Sequence, residues 1–87
     1  MKLFLISQTV NNDYDTYDSA VVCAKNAEEA RRIHPYDILY IDNINHPSRS
    51  VDKHRTWTNY DNVIIKEIGT AIKGSKKGVI CASFNAG

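Results

Sequence analysis

Four apolar stretches along the chain have the length and pattern of β-strands. Residues 2–9 include four consecutive large apolar side chains, which predicts an interior strand covered on both faces. Residues 19–25 alternate between two faces, and residues 62–69 do so as well. Residues 79–84 form the last apolar run, and the turn at residues 74–78 is rich in glycine and lysine. The last two strands are therefore predicted to pair as a hairpin.

A short helix is predicted directly after the second strand. Asn26 is a favourable N-cap, and Glu29 follows three residues later, as in a capping box. Pro35 disfavours helical geometry at the preceding residue and ends the helix. The predicted inner face consists of Ala27, Ala30 and either Ile33 or His34.

The middle of the chain gives a weaker pattern. Residues 36–44 alternate enough to predict a further strand, whereas residues 45–58 predict an exposed loop, or a loop with one helical turn. Trp57 is expected to anchor the end of this loop in the core. The whole pattern predicts a single α+β domain over residues 1–87, in the order ββα(β)ββ. Its sheet is mostly antiparallel, has four to five strands, and carries one short helix on one face.

Composition narrows the classes of partner. With 43% hydrophobic and 24% charged residues, the chain is typical of a globular domain, and its net charge of +1 argues against binding to bulk nucleic acid. No apolar run reaches the roughly 18 residues of a membrane span, and the first eight residues are too short for a signal peptide. We expect a cytoplasmic protein. Because small domains often gain stability by association, a homo-oligomer is expected.

The sequence contains no recognisable catalytic or metal-binding constellation. Cys23 and Cys81 both lie in apolar runs, which predicts two buried, free thiols in a reducing compartment. Cys23 with His34, His46 or His54 could in principle supply a nucleophile and a base, but apolar surroundings disfavour the thiolate. The histidines do not have zinc-ligand spacing. We predict no catalytic residue, no metal and no cofactor, so the chain is not expected to be an enzyme.

An acidic, tyrosine-rich turn precedes the second strand and is the first candidate binding surface. Its residues are Tyr14, Asp15, Tyr17 and Asp18. Tyrosine rings can stack on a nucleobase while carboxylates accept hydrogen bonds from the base or a ribose hydroxyl. Alternatively, one tyrosine packs on the sheet edge and the aspartates cap turns.

Two groups of cations form the second candidate surface. Arg31 and Arg32 near the helix end could hold phosphate, or could merely complement the helix dipole. A basic run next to a tryptophan combines charge with an aromatic ring, as anion and nucleotide sites do, although a solvated loop has the same composition. Its residues are Arg49, Lys53, Arg55 and Trp57.

Four segments together resemble a family of small proteins from bacteriophages and prophages. They are MKLFLISQ, then DYDTYDSAVVCAKNAEEARRIHP, then the single Trp57 ahead of VIIKEIGTA, and finally GVICASFNAG. Residues 36–56 depart from the family pattern, so no site is carried over there. The resemblance implies a phage setting, the cytoplasm of an infected bacterium and no catalytic residues.

Small accessory phage proteins commonly counter host defence. The resemblance therefore suggests a function from the phage setting and not from particular site residues. The leading expectation is a non-enzymatic binding protein that counters bacterial immunity by sequestering a nucleotide second messenger. One alternative is a protein–protein inhibitor of a host defence protein, of the anti-CRISPR kind, with the acidic turn as a nucleic-acid mimic. The other alternative is a structural or regulatory phage protein.

Overall fold

The fold is a four-stranded antiparallel sheet with one short helix, as the sequence predicts. The computed structural model describes residues 1–11, 15–36, 56–58 and 60–85. Its elements are β1 (Lys2–Ser7), β2 (Thr16–Ala24), α1 (Ala27–Arg32), a 3₁₀-helix (Tyr60–Asn62), β3 (Ile64–Thr70) and β4 (Gly78–Asn85). The α+β prediction is confirmed. The further strand predicted over residues 36–44 lies almost entirely outside the described residues and stays a prediction.

The first two strands form the centre of the sheet, whose order is β3-β1-β2-β4. They pair antiparallel from Lys2 opposite Ala24 to Ser7 opposite Ser19. The interior position predicted for β1 is confirmed, because β3 pairs with its other side. β2 begins at Thr16, three residues before the predicted start, because β4 pairs with Thr16 and Tyr17 and extends the strand.

The hairpin predicted between the last two strands is wrong. β3 pairs with β1 and β4 pairs with β2, so the two strands lie at opposite edges of the sheet. Residues 71–77 connect them past the ends of the central strands, and the Ala71 N–H donates to the Met1 carbonyl at 3.0 Å. Seven residues reach about 23 Å, more than the roughly 14 Å across three strand spacings. Each outer strand thereby covers one side of the central pair.

Helix α1 is defined by its caps. The Asn26 Oδ1 accepts a hydrogen bond from the Glu29 N–H at 2.9 Å, and the Glu29 Oε1 accepts one from the Lys25 N–H at 3.0 Å. The helix ends at Arg32, and the Ile33 N–H donates to the Ala30 carbonyl. Ala30 and Ile33 are buried. Ala27 is exposed, so its predicted place on the inner face is wrong; a helix of six residues turns only one short stripe toward the sheet.

Removing the cap is expected to destabilise the domain modestly. The Asn26→Ala variant should lose about 1 kcal/mol of unfolding free energy, because the Glu29 N–H loses its acceptor. Asn26→Asp keeps the acceptor and should unfold as the wild type does. Urea titrations followed by circular dichroism measure both. An Asn26→Ala midpoint equal to that of the wild type would contradict this role for the cap.

The core lies between α1 and one face of the sheet. Phe4 and Ile6 of β1 face the helix together with alternate residues of β2, and small side chains there let the helix approach closely. The full cluster is Phe4, Ile6, Ala20, Val22, Ala24, Ala30, Ile33, Trp57 and Val63. Trp57 anchors in the core as predicted. The prediction that β1 is covered on both faces is not met by the described residues, since Leu3 and Leu5 on its other face remain half-buried.

The two cysteines differ in exposure. Both are free, but only Cys23 is buried; Cys81 is exposed, so the prediction of two buried thiols is wrong for Cys81. Cys81 pairs with Val21 and lies on the side of the sheet away from the helix, in an edge strand. An apolar run in an edge strand is therefore no guarantee of burial.

Candidate functional site

Gln8 organises the end of the sheet at which β1 stops and β2 starts. The side chain is 3% exposed. Its Nε2 donates to the carbonyls of Asn11 (2.7 Å) and Tyr17 (2.9 Å), and its Oε1 accepts from the N–H groups of Val10 (2.9 Å) and Asn11 (2.7 Å). One side chain thus fixes the turn and the start of β2. The sequence reasoning missed Gln8, although it continues the alternation of Phe4 and Ile6 into the core.

A second set of bonds ties the segment 56–58 to this end of the sheet. The Tyr17 N–H donates to the Thr56 carbonyl at 2.7 Å. The Asn11 Nδ2 donates to the Trp57 carbonyl at 3.0 Å. The segment that carries Trp57 therefore runs beside the acidic turn, although 46 residues separate Trp57 from Asn11 in the chain.

His34 is buried beside the same segment. Its Nδ1 accepts a hydrogen bond from the Tyr36 N–H at 2.9 Å, so the ring proton is on Nε2, which lies 3.5 Å from the Thr56 Oγ1. The ring meets Tyr17 edge-on, with centroids 6.2 Å apart, and Trp57 at 6.4 Å. His34 thereby joins the two described residues that flank residues 37–55. This is a structural use of a histidine that the sequence offered as a catalytic base.

The acidic turn carries Asp15 two residues before Tyr17 and Asp18 one residue after it. Asp15 is exposed and adopts a left-handed backbone, with φ of 59°, while its N–H donates to the Asn85 carbonyl at 2.6 Å. Tyr17 is half-buried, with its ring 4.8 Å from that of Phe84. Asp18 lies in a β-bulge and accepts a hydrogen bond from the Ser19 hydroxyl at 3.3 Å. We call Asp15, Tyr17, Asp18 and Phe84 the acidic end.

The two helix arginines are both engaged within the protein. The Arg31 Nη1 donates to the Val63 carbonyl at 2.8 Å. Val63 precedes β3, whose first residue pairs with Ser7, so this guanidinium lies at the same end of the sheet as the acidic end. The Arg32 Nη2 is 3.4 Å from the Glu28 Oε1, one turn earlier on the helix. Arg31 therefore lies at the β3 side of that end of the sheet, and Arg32 lies on the helix surface.

The remaining candidate residues divide into one buried residue and four that are not described. Trp57 is 3% exposed and packs in the core, and a stacking role for its ring stays a prediction. Tyr14, Arg49, Lys53 and Arg55 lie outside the described residues, and their predicted binding roles also stay predictions.

Comparisons of the chain with protein-family models, with curated proteins and with solved structures find no match in any of the three. Two further observations concern the described residues alone. No helix among them is long and apolar enough to cross a membrane. Within that same part of the chain, no three side chains of His, Cys, Asp or Glu are grouped to hold a metal ion.

Proposed function

We propose that this chain is a non-enzymatic phage protein that counters bacterial immunity by binding a host defence protein through its acidic end. The charge of that surface carries the proposal. Asp15 and Asp18 flank Tyr17 in the chain and Asp15 is exposed, while Arg31 and Arg32 bind the Val63 carbonyl and Glu28. Carboxylates beside an aromatic ring suit a partner that presents lysine or arginine side chains, as nucleic-acid-binding proteins do. The phage setting comes from the sequence resemblance.

The environments of the nucleophile and base candidates support a binding role over a catalytic one. Cys23 is fully buried within the sheet. His34 is buried, with its two ring nitrogens directed at Tyr36 and Thr56. A nucleophile needs access to its substrate and a base within hydrogen-bond reach. Neither residue is placed for that chemistry.

Capture of a nucleotide second messenger is the second candidate, and one observation favours it. His34 binds both Tyr36 and Thr56 and contacts Tyr17, so the chain enters and leaves residues 37–55 beside the acidic end. In this second candidate function, the phosphates of the nucleotide are bound by cations of that segment. These are Arg49, Lys53 and Arg55.

Two charge-neutralising double variants test which surface binds. Asp15→Asn with Asp18→Asn keeps the fold, because asparagine tolerates the left-handed backbone at residue 15 and its amide oxygen at residue 18 still accepts from Ser19. Glu28→Gln with Glu67→Gln changes the charge equally, at carboxylates that already form ion pairs with Arg32 and Lys2. Each variant and the wild type is tagged and used to capture proteins from a lysate of bacteria that carry defence systems.

We expect the wild type and the glutamine variant to retain a stoichiometric host protein, and the asparagine variant to retain about tenfold less, since two interfacial charge pairs contribute about 1.4 kcal/mol together. High salt should weaken the retention. Equal retention by all three proteins would contradict a role for the acidic end. A small molecule released on denaturation, with no host protein, would replace the first candidate by the second.

A further inference from the structure

The connection between β3 and β4 carries lysines across one end of the sheet. Residues 71–77 run past the ends of the central strands, because β3 and β4 lie at opposite edges. Lys2 begins β1 opposite Ala24, the last residue of β2, and Lys25 follows directly. Five of the six lysines that the structure describes therefore lie at this end, and all five are exposed. We call them the basic end: Lys2, Lys25, Lys73, Lys76 and Lys77.

Three glutamates approach the basic end, and each is bonded within the protein. Glu67 forms an ion pair with Lys2 at 3.3 Å, and Glu28 forms one with Arg32 at 3.4 Å. The Glu29 carboxylate accepts a hydrogen bond from the backbone N–H that precedes the N-cap of α1. Three of the lysines form no ion pair within the described part of the chain: Lys25, Lys73 and Lys76. This end of the sheet therefore presents an excess of positive charge.

The opposite end of the sheet carries the compensating negative charge. Asp15 and Asp18 lie at the start of β2, and Asp61 lies in the 3₁₀-helix that precedes β3. The described part of the chain is thus polarised along its strands, and the net charge of +1 averages its two ends. A concentration of one sign of charge attracts a partner of the opposite sign and orients it.

Exposed apolar side chains lie among these lysines. Ile72 is 84% exposed, the highest value among the large apolar residues of the described ranges. Met1 is 52% exposed, and its carbonyl accepts the Ala71 N–H at 3.0 Å, which places it beside the start of the connection. Residues 71–77 contain no aromatic ring that could stack on a nucleobase. Aliphatic side chains among lysines instead match a bilayer surface, where anionic headgroups attract the charge and the acyl boundary takes up the apolar groups.

We propose that the basic end binds the surface of a bilayer that contains anionic lipids. The lysine ammonium groups approach the headgroup phosphates, while Ile72 and Met1 enter the boundary between headgroups and acyl chains. Each lysine near such a surface raises the partition constant about fivefold, and burial of one large aliphatic side chain raises it about tenfold. Four lysines and Ile72 together give a partition constant on the order of 10³–10⁴ M⁻¹, which is weak and reversible binding.

This orientation directs the acidic end away from the bilayer. The strands run between the two ends, so a chain that lies with its lysines on the headgroups still presents Asp15 and Asp18 to the solvent. A protein partner of the acidic end would then be held at the membrane. The bilayer contact uses neither aspartate, so its failure would leave the proposed function standing.

Matched substitutions test the charge and the apolar contact separately. Lys73→Glu and Lys66→Glu change the net charge equally, but only Lys73 belongs to the basic end. Ile72→Gln and Val10→Gln each remove an exposed apolar side chain; Val10 is 63% exposed and follows the other end of β1. Each protein is sedimented with vesicles of phosphatidylcholine that contain about 30% phosphatidylglycerol, at about 0.05 to about 5 mM lipid, a range that brackets the expected partition constant. Circular dichroism checks that the variants fold.

We expect the wild type, Lys66→Glu and Val10→Gln to bind these vesicles alike at about 0.1 M salt. Lys73→Glu should bind about 30-fold more weakly, and Ile72→Gln about tenfold more weakly. Most of the binding should be lost at about 1 M salt, where the Debye length falls from about 10 Å to about 3 Å. Vesicles of phosphatidylcholine alone should bind the wild type at least about a hundredfold more weakly, because the lysines then have no anionic partner.

Three results overturn the proposal. One is a wild type that binds neither kind of vesicle, or binds both equally. Another is equal binding by Lys73→Glu and Lys66→Glu, since the position of the lysine would then not matter. The third is retention of the wild type by a short DNA duplex but not by the anionic vesicles, which would assign the lysines to nucleic acid.

Discussion

The Gln8→Ala variant is expected to lose about 3 kcal/mol of unfolding free energy, a large loss for one polar residue. The substitution takes away four hydrogen bonds at once, and the atoms left behind are the carbonyls of Asn11 and Tyr17 and the N–H groups of Val10 and Asn11. A buried polar group without a partner costs about 1–3 kcal/mol, and water entering at the turn recovers part of this. The urea midpoint of unfolding measures the loss.

Lys2→Ala is the matched control for Gln8→Ala, because it removes a polar contact from β1, the strand that Gln8 directly follows. Lys2 and Glu67 form an exposed ion pair at 3.3 Å, with about half of each side chain in solvent. Such pairs contribute about 0.2–1 kcal/mol. If the two variants lost similar stability, Gln8 would not organise this end of the sheet.

Trp57→Ala is expected to cost about 3–5 kcal/mol, the range for truncating a large buried aromatic side chain. The ring belongs to the core cluster that also includes Val63 and Ile33, and it contacts the buried ring of His34. A domain of this size has a total stability on the order of 4–13 kcal/mol, so the variant should be partly unfolded at 37 °C. Its thermal midpoint should fall by roughly 15–30 °C.

Two further substitutions separate packing from other effects at Trp57. Trp57→Phe keeps most of the apolar area and should lose much less stability than Trp57→Ala. Ile72→Ala removes a side chain that is almost fully exposed and should change little. A Trp57→Ala midpoint within a few degrees of the wild type would mean that the ring does not complete the core, and its predicted role in ligand stacking would regain weight.

Local signals in the sequence predict most elements because their causes are local. Asn26 and Glu29 define the helix start through bonds three or four residues apart, and Pro35 follows its end. The alternation of Phe4 and Ile6 places one face of β1 in the core. These features need no knowledge of the rest of the chain.

The partner of β4 could not be predicted in the same way. A glycine-rich turn between two apolar runs is typical of a hairpin, yet β4 pairs with β2 because the central pair has two free sides and each outer strand covers one. Pairing over this distance depends on the whole sheet. The exposure of Cys81 follows from the same choice, since it puts the residue in an edge strand.

The candidate site was predictable only in part. Asp15, Tyr17 and Asp18 are recognisable as an acidic turn, but the contacts around them come from Thr56, Phe84 and Asn85, which are distant in the chain. For Gln8, the only sign of burial in the sequence is that it continues the alternation of Phe4 and Ile6. The hydrogen bond from Arg31 to Val63 could not be predicted from the sequence, because its acceptor is a backbone carbonyl 32 residues away.

Phage plating on bacteria that carry defence systems tests the central claim most directly. Host cells express the wild type, the Asp15→Asn, Asp18→Asn variant or the Glu28→Gln, Glu67→Gln variant, and plaques of a phage that the defence restricts are counted. The acidic-end proposal predicts that the wild type and the glutamine variant restore plaques, while the asparagine variant does not. Two results would contradict it. One is that neither the wild type nor either variant changes the plaque count on any defence-bearing host, and the other is that the asparagine variant restores plaques fully.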